Sequence, residues 1–151
     1  MTADVPELTA HLGYWLRQVS NHVSQTFARR VAVKDVTVAE WAMMRVLYST
    51  QPVAPSQLAD EMGMTRGAIS KLADRLVLKS LVAREASSTD GRAQSLRLTP
   101  QGARMVPELA ALAEQNEAEC FAHLSNEDRA TLRRILKEAA VQLDITATPI
   151  E

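Results

Sequence analysis

The sequence predicts a mainly α-helical chain carrying one small β-hairpin, and three observations support that prediction. Apolar residues recur at helical spacing through most of the 151 residues. Only between Leu81 and Thr99 does the period shorten to two. Aromatic residues make up 4% of the chain against 46% hydrophobic overall, which suits a Leu- and Ala-rich helical core better than a β-sandwich. A single folding unit over residues 1–151 is expected at this length.

From Leu8 to Val31, the side chains of Leu12, Leu16, Val19, Val23 and Phe27 fall on one face of a long amphipathic helix. Asp35 and Val36 lead into a capping box, in which Thr37 accepts the amide three residues on and Glu40 reaches back. The apolar run WAMMRVLY follows, so a second helix covers about Val38 to Ser49. Pro52 and Pro55 close it. A short third helix begins near Pro55, a residue suited to a first turn, and ends at Gly63, which tolerates left-handed angles. Thr65 caps a fourth helix carrying Ile69, Leu72 and Leu76 on one face. Strands over Leu81–Ala86 and Ser95–Thr99 then flank the polar tip SSTDGRAQ. Thr99 and Pro100 start a fifth helix, bent at Pro107, whose apolar positions run through Met105, Leu109 and Leu112 to Leu124. Ser125, with Asp128 three residues on, caps a sixth whose stripe is Leu132, Ile135, Leu136, Ala139 and Leu143.

Net charge is only −1, but it is unevenly spread. Met64 to Arg104 holds eight basic and three acidic residues, so the remaining chain is acidic. That pattern is expected where one module meets phosphates and the rest does something else. The first residues carry acids instead of a cationic cluster and no cleavage site follows, so no secretory leader is read. The longest uncharged run, Val46 to Ala59, contains two prolines and is too short for a bilayer. A cytoplasmic protein with no membrane association is therefore expected. Cys120 is the only cysteine, which rules out an intramolecular disulfide framework. It reads as a small buried hydrophobe in preference to a redox sensor. His11, Trp15, Gln18 and His22 share a helical face, but His123 is distant and no carboxylate pair lies near, so no metal site is predicted. No nucleophile has a recognisable base and no Gly-rich phosphate loop occurs, so neither an enzyme nor a cofactor is expected.

The stretch PSQLADEMGMTRGAISKLADRL carries the most specific local signal. Two crossing helices of a helix-turn-helix need a small residue at the crossing, here Ala59, and a turn residue, here Gly63. Leu58, Met62, Met64, Ile69 and Leu72 would anchor the pair. Two helices of an ordinary bundle share this pattern. A basic hairpin directly after the second helix is what a winged variant adds. At that point the chain resembles the MarR family of bacterial regulators over nearly its full length. Asp90, Gly91, Arg92, Leu96, Leu98 and Thr99 match that family's D-x-R-x-x-x-L-x-L-T signature, and Asp74 to Leu76 and Trp41 agree with it. Two residues depart: Ser80 stands where the family usually has glycine, and Gly91 where a second basic residue is frequent.

The resemblance implies a winged helix-turn-helix DNA-binding lobe over residues 37–99 and a helical dimerisation region over residues 1–36 and 100–151. It also implies a sequence-specific transcriptional regulator, a repressor that binds an inverted-repeat operator in double-stranded DNA as a homodimer and is relieved by a small aromatic or anionic effector. On this reading the fourth helix enters the major groove with Thr65, Arg66, Gly67, Ala68, Ser70 and Lys71, and Arg75 is counted with them. Ser56 donates to a phosphate, and Arg92, oriented by Asp90, enters the minor groove. Each also reads as a solvated surface group or a cap. Tyr14, Trp15, Trp41, Arg45 and Tyr48 are the candidate effector contacts, although aromatic residues at helical spacing equally read as core. The alternatives are an architectural or nonspecific DNA-binding protein without a ligand, and a helical interaction module that never meets DNA.

Overall fold

The computed structural model describes residues 3–86 and 94–150. A 3-10 turn at Leu8–Ala10 precedes α1 (Leu12–Ala32), α2 (Val38–Thr50), α3 (Pro55–Met62), α4 (Arg66–Leu78), β1 (Val82–Ala86), β2 (Gln94–Leu98), α5 (Pro100–Cys120) and α6 (Asn126–Gln142). Mainly helical architecture with one antiparallel hairpin is thus observed, paired in register from Val82 with Leu98 to Ala86 with Gln94.

Local caps set most helix starts. Thr37 accepts the Glu40 amide at 3.1 Å while the Glu40 carboxylate accepts the Thr37 amide at 2.8 Å, completing the capping box. Thr65, Thr99 and Ser125 accept the amides of Ala68, Gly102 and Asp128 at 3.0 to 3.1 Å. Each such cap contributes about 1 kcal/mol. Gly63 ends α3 at φ 64°, a left-handed angle that a side chain disfavours. Ser80 takes the same role after α4 at φ 61°. The Leu81 amide there reaches back to the Leu76 carbonyl at 3.0 Å and the Ser80 amide to Val77 at 2.9 Å, a Schellman closure.

Several boundaries differ from expectation. α1 begins at Leu12, four residues later than its periodicity suggests, because His11 is extended at φ −102°, ψ 134°. The Trp15 indole donates to the Thr9 carbonyl at 2.9 Å, folding the preceding turn back on the helix. α5 continues through Pro107 but stops at Cys120, short of Leu124, where Phe121 leaves the helical basin and Leu124 closes a turn on its carbonyl. β1 begins after Leu81 because that amide closes α4. β2 ends before Thr99, whose amide donates to the Leu81 carbonyl and whose side chain caps α5. The first turn of α5 lies hard against the hairpin: a Cβ on Gly102 would fall 2.1 Å from the Leu81 carbonyl oxygen.

The core gathers Met43, Met44 and Leu47 of α2, Leu58 and Met62 of α3, and Ile69, Leu72 and Leu76 of α4. Leu96 and Leu98 of β2 join them with Val106 and Leu109 of α5. Each large side chain so buried contributes about 1.5–3 kcal/mol. The linker between α2 and α3 joins the sheet, since Val53 donates to the Leu96 carbonyl at 3.0 Å and accepts the Leu96 amide at 2.7 Å. By contrast α6 has no buried residue, and Leu12 and Val141 are 84% and 77% exposed. Among the described residues no helix is long and apolar enough to cross a membrane.

Candidate nucleic-acid interface

The outer face of α4 follows from its inner one. Ile69, Leu72, Ala73 and Leu76 are buried at helical spacing, so Arg66, Gly67, Ser70 and Lys71 are turned to solvent, with Thr65 exposed at the cap and Ala68 half-buried. Space around Gly67 is open, with nothing within 4 Å of a Cβ placed there. Among the described residues neither Arg66 nor Lys71 enters an ion pair. Ser56 is half-buried in the first turn of α3. Arg84 of β1 pairs with Asp74 of α4, tying the hairpin base to the helix. Asp90 and Arg92, with Gly91 between them, lie outside the described residues.

Arg75 is placed differently from the rest of that set. Its guanidinium donates to the Thr37 hydroxyl at 3.1 Å and stands 3.8 Å from Glu40, so it faces the start of α2. Glu40 and Lys79, which sequence reasoning did not select, form the centre of this junction. The Glu40 side chain is fully buried, and Lys79 donates to it at 3.0 Å and to the Asp35 carbonyl at 2.6 Å. Burial alone would raise the Glu40 pKa. The Thr37 amide, the Lys79 ammonium and the Thr37 hydroxyl outweigh it and hold the carboxyl below its ordinary value. The partners lie 38 and 39 residues apart in sequence, so no local pattern points here.

Behind this junction lies a cavity of about 850 Å³ between α1, α2 and α5. Phe27, Val38, Trp41 and Phe121 supply apolar walls, and Arg45 and Arg75 supply cations. Of the candidate effector contacts, Trp41 and Arg45 line it and Tyr14, Trp15 and Tyr48 do not. Tyr14 packs edge-on against Trp15 with centroids 5.2 Å apart near the start of α1. Tyr48 is exposed beneath the Arg45 guanidinium, which also donates to Ser49 at 2.6 Å. The aromatic walls therefore come from Trp41, one of the candidates, from Phe27, further along α1 than Tyr14 and Trp15, and from Phe121, just past the end of α5. Asn116, buried at the cavity edge, accepts from Arg30 and donates to the Val23 carbonyl, both at 3.1 Å, which locks α1 to α5. Cys120 is half-buried with its Sγ 3.7 Å from the Thr26 hydroxyl. Among the described residues no three His, Cys, Asp or Glu side chains gather to hold a metal.

Residues 34–93 match the profile of the MarR family. A regulatory protein assigned to the hcr operon of Thauera aromatica is 29% identical over 131 residues, which cover 86% of this chain and 79% of that one. The crystal structure of a probable transcriptional regulator from Pseudomonas aeruginosa superposes with a TM-score of 0.78 at 28% identity, covering 88% of this chain and 99% of that one. Over residues 34–93, and in its fold, the chain is similar to the MarR family of transcriptional regulators. A mutant MarR of Escherichia coli, solved in complex with operator DNA, shares the fold at a TM-score of 0.76 and 24% identity, over 85% of this chain and 92% of that one. With this MarR-family fold, Ser80 keeps the left-handed helix exit that glycine usually supplies.

Proposed function

We propose that the chain is a cytoplasmic, homodimeric, sequence-specific DNA-binding regulator. It represses by binding an inverted-repeat operator and is released by a small aromatic or anionic effector. The observation that carries the reading is α4: a fully buried apolar stripe holds its N-terminal half with Arg66, Ser70 and Lys71 facing outward. Arg66 presents two parallel donors to a guanine edge, Thr65, Ser70 and Lys71 reach bases or phosphates, and Gly67 and Ala68 let the helix approach closely. Ser56 donates to a backbone phosphate, and Arg92, oriented by Asp90, enters the minor groove. Arg75 acts mainly through the α2 junction. Residues 37–99 form the DNA-binding lobe, and residues 1–36 and 100–151 the dimerisation region. Exposed apolar residues on α1 and α6 support that division, because such faces need a second copy to cover them. Dimerisation sets two recognition helices roughly 34 to 36 Å apart, one turn of duplex. The effector would lie in the 850 Å³ cavity, its body between Phe27, Trp41 and Phe121 and its anionic group toward Arg45 and Arg75. No catalytic step belongs to this reading.

The test is selection of an operator from a random duplex library, followed by competition against scrambled duplex at fixed salt. A preference of at least about a thousandfold is expected. Equal affinity for both duplexes would favour the architectural alternative, and no binding at either would leave an interaction module.

A further inference from the structure

The Schellman closure after α6, with Asp144 at φ 54° and the Ile145 amide bonded to the Ala140 carbonyl at 2.9 Å, turns the chain sharply away from that helix. The next residues do not trail into solvent. The Thr148 amide donates to the carbonyl of Met62, the last residue of α3, at 3.1 Å. A carbonyl in that position has no partner within its own helix, so the tail supplies one. Ala147 lies against Gly63 so closely that a Cβ on the glycine would fall 2.8 Å from the Ala147 Cα. Thr148, Pro149 and Ile150 then form one wall of the cavity that Phe27 and Trp41 line from the other side.

We propose that residues Ala147–Ile150 are a strap that both closes the cavity and braces the α3–α4 turn, so that opening the one loosens the other. The coupling resides in Thr148, whose backbone holds the end of α3 while the residue itself lines the cavity. A molecule filling the cavity would push directly on the segment that fixes the turn before the recognition helix. This goes beyond DNA binding and does not depend on it, since both partners of the contact belong to this chain.

The experiment uses the Trp15→Phe protein, in which Trp41 is the single tryptophan, with acrylamide quenching as the probe of the cavity and amide hydrogen exchange as the probe of the turn. It compares the intact chain, Ile150→Asp, a chain ending at Thr146, and the exposed control Thr146→Asp. In the shortened chain, quenching of Trp41 should rise about twofold and exchange over Ala59–Met64 should accelerate on the order of tenfold, with Ile150→Asp following in the same direction and Thr146→Asp in neither. If either readout stays at the intact value in the shortened chain, the strap does not couple cavity to turn. DNA affinity is not read, so this outcome is independent of the operator experiment.

Discussion

Glu40 belongs to two structures at once. Its amide and one carboxylate oxygen complete the cap of α2, and the same oxygen holds Lys79 at the end of α4. Removing the charge by Glu40→Gln leaves Lys79, itself partly exposed, facing a neutral buried group and should cost about 2 kcal/mol at neutral pH. Because the folded pKa is lowered, this contribution is present above the unfolded value of about 4.3 and is lost as pH falls through the lower folded value. Urea unfolding of both proteins from pH 7 to pH 3 should show their difference shrinking only below about 4.3; a constant difference would mean that the charge is not the cause. Arg66 and Arg75 should separate in kind. Arg66→Ala is expected to cost about 1–3 kcal/mol on the best operator and flatten preference at one base pair per half-site. Arg75→Ala should lower stability by about 1 kcal/mol through the lost Thr37 bond and leave base preference unchanged. Arg92→Ala should weaken binding evenly across sequences, most where an A·T tract flanks the half-site. Anisotropy titrations over single-base operator variants, paired with unfolding curves, would distinguish all three; base preference unmoved in Arg66→Ala would remove α4 from the groove.

At the scale of elements, α4 ends on a residue poorly suited to its backbone angle. Ser80 pays for φ 61° in strain, partly offset by its carbonyl accepting the Thr99 hydroxyl at 2.7 Å. Ser80→Gly keeps that carbonyl and should raise stability by up to about 1 kcal/mol, after the entropy lost to the freer unfolded glycine is subtracted. A melting temperature equal to or below that of the natural chain would show the angle to be unstrained. Features set by near neighbours were legible in the sequence: the caps at Thr37, Thr65, Thr99 and Ser125, the Gly63 exit and the buried stripe of α4 all depend on residues within about one turn. What was not legible is long-range. Lys79 meets Glu40 across 39 residues and Arg30 meets Asn116 across 86, and no local period announces either. Phe27 and Phe121 become cavity walls only once α1 and α5 lie side by side, whereas Tyr14 and Tyr48 lie outside that cavity.

For the whole molecule, the unburied stripe of α6 predicts a second copy. Light scattering at micromolar concentration should return about twice the 16.6 kDa chain mass, and Leu136→Asp, on the half-exposed part of that stripe, should shift it toward one chain. A natural chain that stays single would contradict the proposed dimerisation region. The pairing of Val53 with Leu96 bears on how such an assembly would move. The hairpin is bonded to the α2–α3 linker by Val53, to Gln51 through the Leu98 amide at 2.7 Å, and to α4 by Arg84 and Asp74. These bonds fix its base to the linker and to α4. Reorienting the lobe must therefore carry helix and hairpin together as one lever, so under the proposed binding mode whatever tilts α4 out of one groove would withdraw the hairpin from its neighbour in the same stroke.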